Sequence, residues 1–141
     1  MDTLFSACGT AAFLGWLLLI LVPRWRWTQV LSGTVIPLSI ALVYLALIVR
    51  YMPGADGGFA SLSDVAKLFA RPGLLLAGWV HYLAFDLFIG SWEVRDATRR
   101  GVPHVLVIPC LIMTFMLGPM GLLTYWGIRS LKSGPATLES M

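Results

Sequence analysis

Four stretches of this chain, residues 3–22, 30–49, 73–92 and 103–128, stay apolar for about the length that crosses a lipid bilayer. A hydrocarbon core of ~30 Å takes about 20 residues of α-helix, and no water inside it can satisfy a bare backbone N–H or C=O. Runs of that length must be helical, and they must lie side by side to shield the polar groups they carry. Charged residues make up only 12% of the sequence, about half the share in soluble domains. That leaves too little polar surface to wrap a soluble globule. The predicted fold is all-α and integral to the membrane: a four-transmembrane-helix bundle, one domain over residues 1–141. The fourth run is the longest and holds Pro109 and Pro119, so it is expected to be tilted, kinked or broken.

The connections read as interfacial. Residues 23–27, Pro-Arg-Trp-Arg-Trp, alternate indoles that sit at headgroup level with arginines that meet phosphate. Loop two, residues 50–72, has a turn region rich in Gly and Pro. A possible capping box, Ser61 to Asp64, then opens a short helix through Leu68 or Phe69. Leu62, Val65, Phe69 and Ala66 would form its apolar face, laid flat on the membrane. Loop three, residues 93–101, is dense in charge, and the tail from 130 to 141 is polar. The formal net charge is +3, but the basic residues sit at helix ends and form no stripe, which argues against nucleic acid. Alternating spans put Arg24, Arg26, Arg95, Arg99 and Arg100 on one side, and Arg50, Lys67, Arg71, Arg129 and Lys132 on the other. The first set is the denser, so loops one and three are assigned to the cytoplasm. The N-terminus lacks a positive n-region, so no cleavable signal peptide is expected. Cys8 and Cys110 would differ in depth by about 10 Å, too far for a disulfide.

The third and fourth runs carry the chemistry. His81 and Asp86 lie inside an apolar stretch, where an ionised carboxylate costs at least ~2.5 kcal/mol and must find a partner in the bundle interior. Tyr82, Asp86, Gly90 and Glu93 share one stripe of the helix, with Trp79 at its upper end and His81 about 100° away from Tyr82. Cys110 and Thr114 fall in the depth band of Asp86. Glu93, Asp96, Arg99, Arg100 and His104 form a polar cluster at the loop-three interface, read as a solvated cap with anchors for lipid phosphate. A metal held by His81, Glu93, Asp96 and His104 is the rival reading, although the two imidazoles differ in depth by more than one coordination sphere. Metal and cofactor are left unknown.

The run His81…Phe85-Asp86-Leu87-Phe88…Gly90, then Asp96…Arg99…Pro103-His104, then Pro109-Cys110-Leu111…Thr114…Gly118-Pro119…Gly121-Leu122-Leu123, resembles the abscisic-acid-deficient-four family. These are small four-helix membrane proteins whose plant members are required to make neoxanthin from violaxanthin. The resemblance is strong over residues 73–128 and rests on hydropathy before that. It implies a carotenoid ligand, held by Trp79, Tyr82, Phe85, Phe88, Cys110, Thr114 and Phe115. No plastid transit peptide is recognised, so the chain looks like a bacterial-type member or a trimmed form of a longer one, and the expected location is multi-pass in a bacterial inner membrane.

The leading expectation is a membrane enzyme, similar to neoxanthin synthase, that isomerises a carotenoid. His81 and Asp86 would serve as its acid–base pair, with the two roles unassigned. One alternative is oxidative cleavage or isomerisation of a carotene, assisted by metal. Another is a non-enzymatic carotenoid-binding or assembly subunit in which the polar residues are clamps. Expected partners are the carotenoid or another long polyene and the membrane lipids. A homo-oligomer is left open.

Overall fold

A computed structural model describes residues 1–133, and no strand occurs among them. Its helices are α1 (Asp2–Leu21), α2 (Thr28–Tyr51), α3 (Leu62–Phe69), α4 (Pro72–Arg100), α5 (His104–Leu117) and α6 (Pro119–Ser133). Of these, α1, α2 and α4 are long and apolar enough to cross a membrane. The predicted polar tail begins inside α6, and residues 134–141 lie outside the described residues.

Helix α4 is the centre of the bundle and packs against every other helix. It buries half of its most apolar window, against 28% for α1 and 22% for α2. Small residues allow the close approach. The Trp16 ring of α1 rests on Gly90, Leu87 fills the space over Gly15, and Gly33 of α2 lies against Ser91. Polar side chains fasten the same seam. Ser32 donates to the Gly15 carbonyl at 2.9 Å, and Ser91 donates to Gln29 Oε1 at 2.8 Å. Within α2, a π-helical turn over Leu31–Val35 precedes Pro37. The proline has no N–H to give, and its ring crowds the carbonyl one turn back.

Two boundaries differ from the sequence reading. Helix α4 continues eight residues beyond the third apolar run, to Arg100. Charged residues do not end a helix once its end is outside the lipid, and Arg100 pairs with Asp96 at i, i+4. Gly101, at φ +67°, stops it, and the Val102 N–H closes onto the Ala97 carbonyl. In loop two, Ser61 caps α3 by accepting from the Asp64 N–H at 3.1 Å. Lys67 and Ser61 beside Asp64 hold its carboxyl below the usual range. The residue that anchors α3 is Leu68, 4% exposed, whereas Leu62 of the expected apolar face points outward at 86%.

The fourth apolar run, expected to be tilted, kinked or broken, is broken into two helices rather than forming one span. Helix α5 has 14 residues, about 21 Å of length, short of a ~30 Å core. Gly118, at φ +51° and ψ −104°, breaks the chain, and Pro119 begins α6. That backbone is open to glycine and strained for other residues. The break stays hydrogen-bonded, with the Gly118 N–H donating to the Thr114 carbonyl and the Gly121 N–H to that of Gly118. Helix α6 then doubles back along α5: Gly121 abuts the backbone of Thr114, and Thr124 reaches Met113 Sδ.

Contacts with α4 fix the direction. Gly118 faces Asp86, while Tyr125 and Arg129 reach Asp96. From Asp86 to Asp96, α4 advances about 15 Å toward its C-terminus, and from Gly118 to Arg129, α6 advances about 16 Å the same way. The hairpin therefore enters and leaves at the loop-three end. Hydropathy could not show this, because an apolar run interrupted at Gly118-Pro119 reads alike as a kinked crossing and as two arms. Irregular backbone at such depth is tolerated where protein covers it.

Asp96 locks the hairpin. Its carboxylate takes Arg100 Nε at 3.0 Å and the Tyr125 hydroxyl at 2.7 Å, with Arg129 Nε at 3.3 Å. Tyr125 and Arg129 are fully buried. The Arg129 guanidinium lies over Trp126, 4.4 Å from the ring centre, and Trp92 meets Tyr125 edge-on. The sequence reading had set Arg129 and Lys132 on the far side of the bundle. With the hairpin folded back, both belong to the loop-three end.

Two outcomes check this arrangement. Cysteines introduced at Lys132 and Arg99 will react with an impermeant thiol reagent from the same face of a membrane, and one at Asp56 from the opposite face. Labelling of Lys132→Cys together with Asp56→Cys would restore a continuous fourth span. Arg129→Leu, which leaves the buried Asp96 carboxylate with Arg100 and Tyr125 alone, will destabilise the protein by up to about 3 kcal/mol in a thermal or denaturant unfolding assay.

Candidate functional site

The stripe of α4 that begins at Tyr82 faces α1 and the hairpin. Tyr82 donates its hydroxyl to the Phe115 carbonyl at 2.8 Å. One turn deeper, the Asp86 carboxylate lies against the Gly118 break, with its oxygens 3.2 and 3.3 Å from where a side chain at 118 would begin. Any residue larger than glycine there would press on the carboxylate. Asp86 Oδ2 is buried without a hydrogen-bond partner. Two further turns along, Glu93 is fully buried, takes a hydrogen bond from Thr114 at 2.9 Å, and leaves Oε2 without a partner.

Because α5 stops at Leu117, no helix of the hairpin covers α1 and α4 beyond the level of Asp86. Aromatic side chains line that uncovered region. Trp79 stacks on Phe5 at 5.5 Å and meets Tyr82 at 5.5 Å, and Phe115 touches Phe13 and Trp16. Trp79 is 43% exposed, Phe5 48% and Phe13 49%. These rings form an exposed aromatic surface that runs from Phe5 and Trp79 to Tyr82, one turn from Asp86. At its outer rim is a hollow of about 340 Å³ between Phe5, Leu75 and Trp79.

The residues expected to line one slot are divided between two flanks and the interior. Trp79, Tyr82 and Phe115 stand with Asp86. His81 is five residues from Asp86, about 140° round the helix, and lies on the α2 flank. There it stacks on Phe85 at 4.6 Å and meets Tyr44 at 5.5 Å. Phe85 and Phe88 line a shallow groove of about 240 Å³ with Leu38 and Ala41. His81 itself opens onto a groove of about 220 Å³ that reaches α3. The fold thus does not bring His81 and Asp86 to one point. Cys110 and Thr114 are fully buried in the core, where the Cys110 thiol faces the Leu106 carbonyl.

The polar cluster assigned to the loop-three interface also divides. Glu93 is interior, not a solvated cap, because α4 turns that face onto α5. Asp96 belongs to the buried lock, Arg99 lies in a surface hollow, and His104 Nε2 pairs with the Ile20 carbonyl at 3.0 Å. Among the described residues, no three His, Cys, Asp or Glu side chains converge. His81, Glu93, Asp96 and His104 are spread over separate surroundings and do not form one ligand set. Sequence reasoning missed Tyr125 and Arg129. Their i, i+4 spacing beside Trp126 was visible, but it marks an interior face only once α6 is known to fold back.

Comparison with known proteins bears on the whole bundle. A family model described as ABA DEFICIENT 4-like matches residues 3–125, from the start of α1 into the returning arm of the hairpin. No curated protein and no solved structure matches the chain. The family match covers the first two spans, where the resemblance had rested on hydropathy, as well as the motif-bearing half. With its three long apolar helices and this match over most of its length, the chain belongs to the ABA DEFICIENT 4-like family.

Proposed function

We propose that the protein draws a carotenoid from the lipid phase onto the aromatic surface between α1 and α4 and isomerises it by acid–base chemistry at Asp86, as in neoxanthin synthesis. The observation that carries this reading is a carboxylate with an unsatisfied oxygen, set one turn beyond Tyr82 at the inner end of an exposed aromatic surface. A carboxyl group is costly at such depth and is placed there for a purpose or firmly clamped. Asp96 is clamped by two arginines and a tyrosine, and Asp86 has no such set.

The chemistry needs few groups. Opening a 5,6-epoxide to an allene breaks one C–H bond and one C–O bond. The C–H pair becomes the new double bond, while the epoxide oxygen keeps the C–O pair and gains a proton. The product is an isomer, so no oxidant is consumed. Asp86 can take a proton on one oxygen and return one from the other, and the Tyr82 hydroxyl, beside it, can steady the developing alkoxide. His81 opens onto the other flank, so Tyr82 replaces it as the partner of Asp86.

The same surface would hold a polyene without changing it. In favour of that binding-only reading, two of the other buried polar residues, Asp96 and Arg129, serve to fasten helices together. The charge distribution also bears on orientation. Folding back the hairpin puts Arg24, Arg26, Arg95, Arg99, Arg100, Arg129 and Lys132 at one end, and Arg50, Lys67 and Arg71 at the other. Seven against three favours loops one and three in the cytoplasm.

Expression in a host that makes epoxy-carotenoids, with pigment analysis, tests the assignment. Asp86→Asn will lower conversion at least ~100-fold while pigment still co-purifies. Tyr82→Phe will be impaired and His81→Ala will retain activity within a few-fold. Full conversion by Asp86→Asn would remove the acid–base role, and pigment recovered unchanged from the wild type would leave the binding reading.

A further inference from the structure

At the end of the bundle that carries loops one and three, a hollow of about 430 Å³ has Arg24, Arg26, Gln29, Arg95 and Arg99 in its walls. Arg24 and Arg26 come from the turn between α1 and α2. Arg95 and Arg99 are one turn apart on the last stretch of α4. None of the four takes part in an ion pair among the described residues, whereas Arg100 and Arg129 nearby are engaged with Asp96. Gln29 adds a donor. Its Oε1 accepts from Ser91, and its Nε2 is buried without a hydrogen-bond partner.

Four positive charges held by two separate elements around one hollow repel one another. The occupant that relieves this is an anion with several oxygens, which forked guanidinium groups bind well. The surroundings say more about it. Trp25 and Trp27 are 48% and 44% exposed beside the hollow, and Leu21 is 69% exposed. Leu21, Arg24 and Trp25 line a second hollow of about 480 Å³, which shares Pro23, Arg24 and Trp25 with the first. A cationic, anion-binding site thus adjoins an apolar, indole-edged surface at the end of two spans, the level of lipid headgroups.

We propose that this hollow is a binding site for the phosphate headgroup of an anionic phospholipid, whose acyl chains run down past Trp25 and Leu21. The site is independent of the proposed carotenoid surface, which lies toward the opposite end of α4. Inorganic phosphate shares the head chemistry but has no chain to lay on that surface.

The test uses the full chain in vesicles of phosphatidylcholine alone or doped with phosphatidylglycerol. Lipid retained through purification is read by mass spectrometry and stability by the unfolding midpoint. Phosphatidylglycerol will be enriched over its share of the mixture and will raise the midpoint. Arg95→Gln with Arg99→Gln will weaken retention by about five-fold per arginine, and added salt will narrow the difference. The paired Arg→Lys variant keeps the charge without the forked donors and will fall between. Equal retention of the two lipids would overturn the proposal, as would a double glutamine variant that behaves as wild type. Inorganic phosphate that protects as well as phosphatidylglycerol would mark a bare anion site and sink the lipid assignment.

Discussion

The Asp96 carboxylate, surrounded by Arg100, Arg129 and the Tyr125 hydroxyl, is the interaction on which the rest of this structure depends. A buried ion pair is weak evidence for stability, because removing two charges from water costs several kcal/mol per ion before the attraction returns it. Its clearer consequence is arrangement. Arg129 is fully buried, and only a chain folded back at Gly118 can bring it to Asp96. A continuous fourth span would carry Arg129 to the far end and leave Asp96 with Arg100 alone. The contacts at Asp96 are therefore compatible with the hairpin and not with one continuous crossing.

From the hairpin follows the asymmetry of the bundle. At the loop-three end, α1, α2, α4 and both arms of the hairpin surround a filled core that includes Tyr125, Leu111 and Val107. At the other end, α1, α2 and α4 are left without that cover, and α3 shields one flank through Leu68. An aromatic surface is left exposed on the flank α3 does not reach. Its inner limit is set by the Gly118 break, and the break puts a backbone without a side chain against the Asp86 carboxylate. Glycine there has two tasks, a positive φ and room for Asp86, and both arise from the same turn.

The arginine-lined hollow and the aromatic surface lie toward opposite ends of α4, and the lock stands at the hollow's end. On the two proposals above, such a layout would divide anchoring at the charged end from ligand handling in the half without a hairpin. Small residues at the α1, α2 and α4 seams, Gly15, Gly33 and Gly90, keep those three helices tight enough to stand without a fourth along their full length.

The sequence by itself determined that this chain is helical and that it belongs among membrane proteins, and it marked the costly carboxylate Asp86 in the third apolar run. Those features follow from local composition: backbone polar groups in lipid must be satisfied within the helix, and a carboxylate in an apolar run is costly wherever it points. The capping of α3 by Ser61 and the family motifs were legible for the same reason. Only the tertiary structure decided that the fourth run turns back, that Glu93 is interior, that Arg129 meets Asp96, and that His81 and Asp86 serve different flanks. Each of these depends on which surface a residue turns to a partner far away in the chain. A hydropathy run has no direction, so residues 103–128 read alike as one crossing or as two arms. The choice between them rests on contacts between Asp96 and residues about thirty positions later, which no local pattern records.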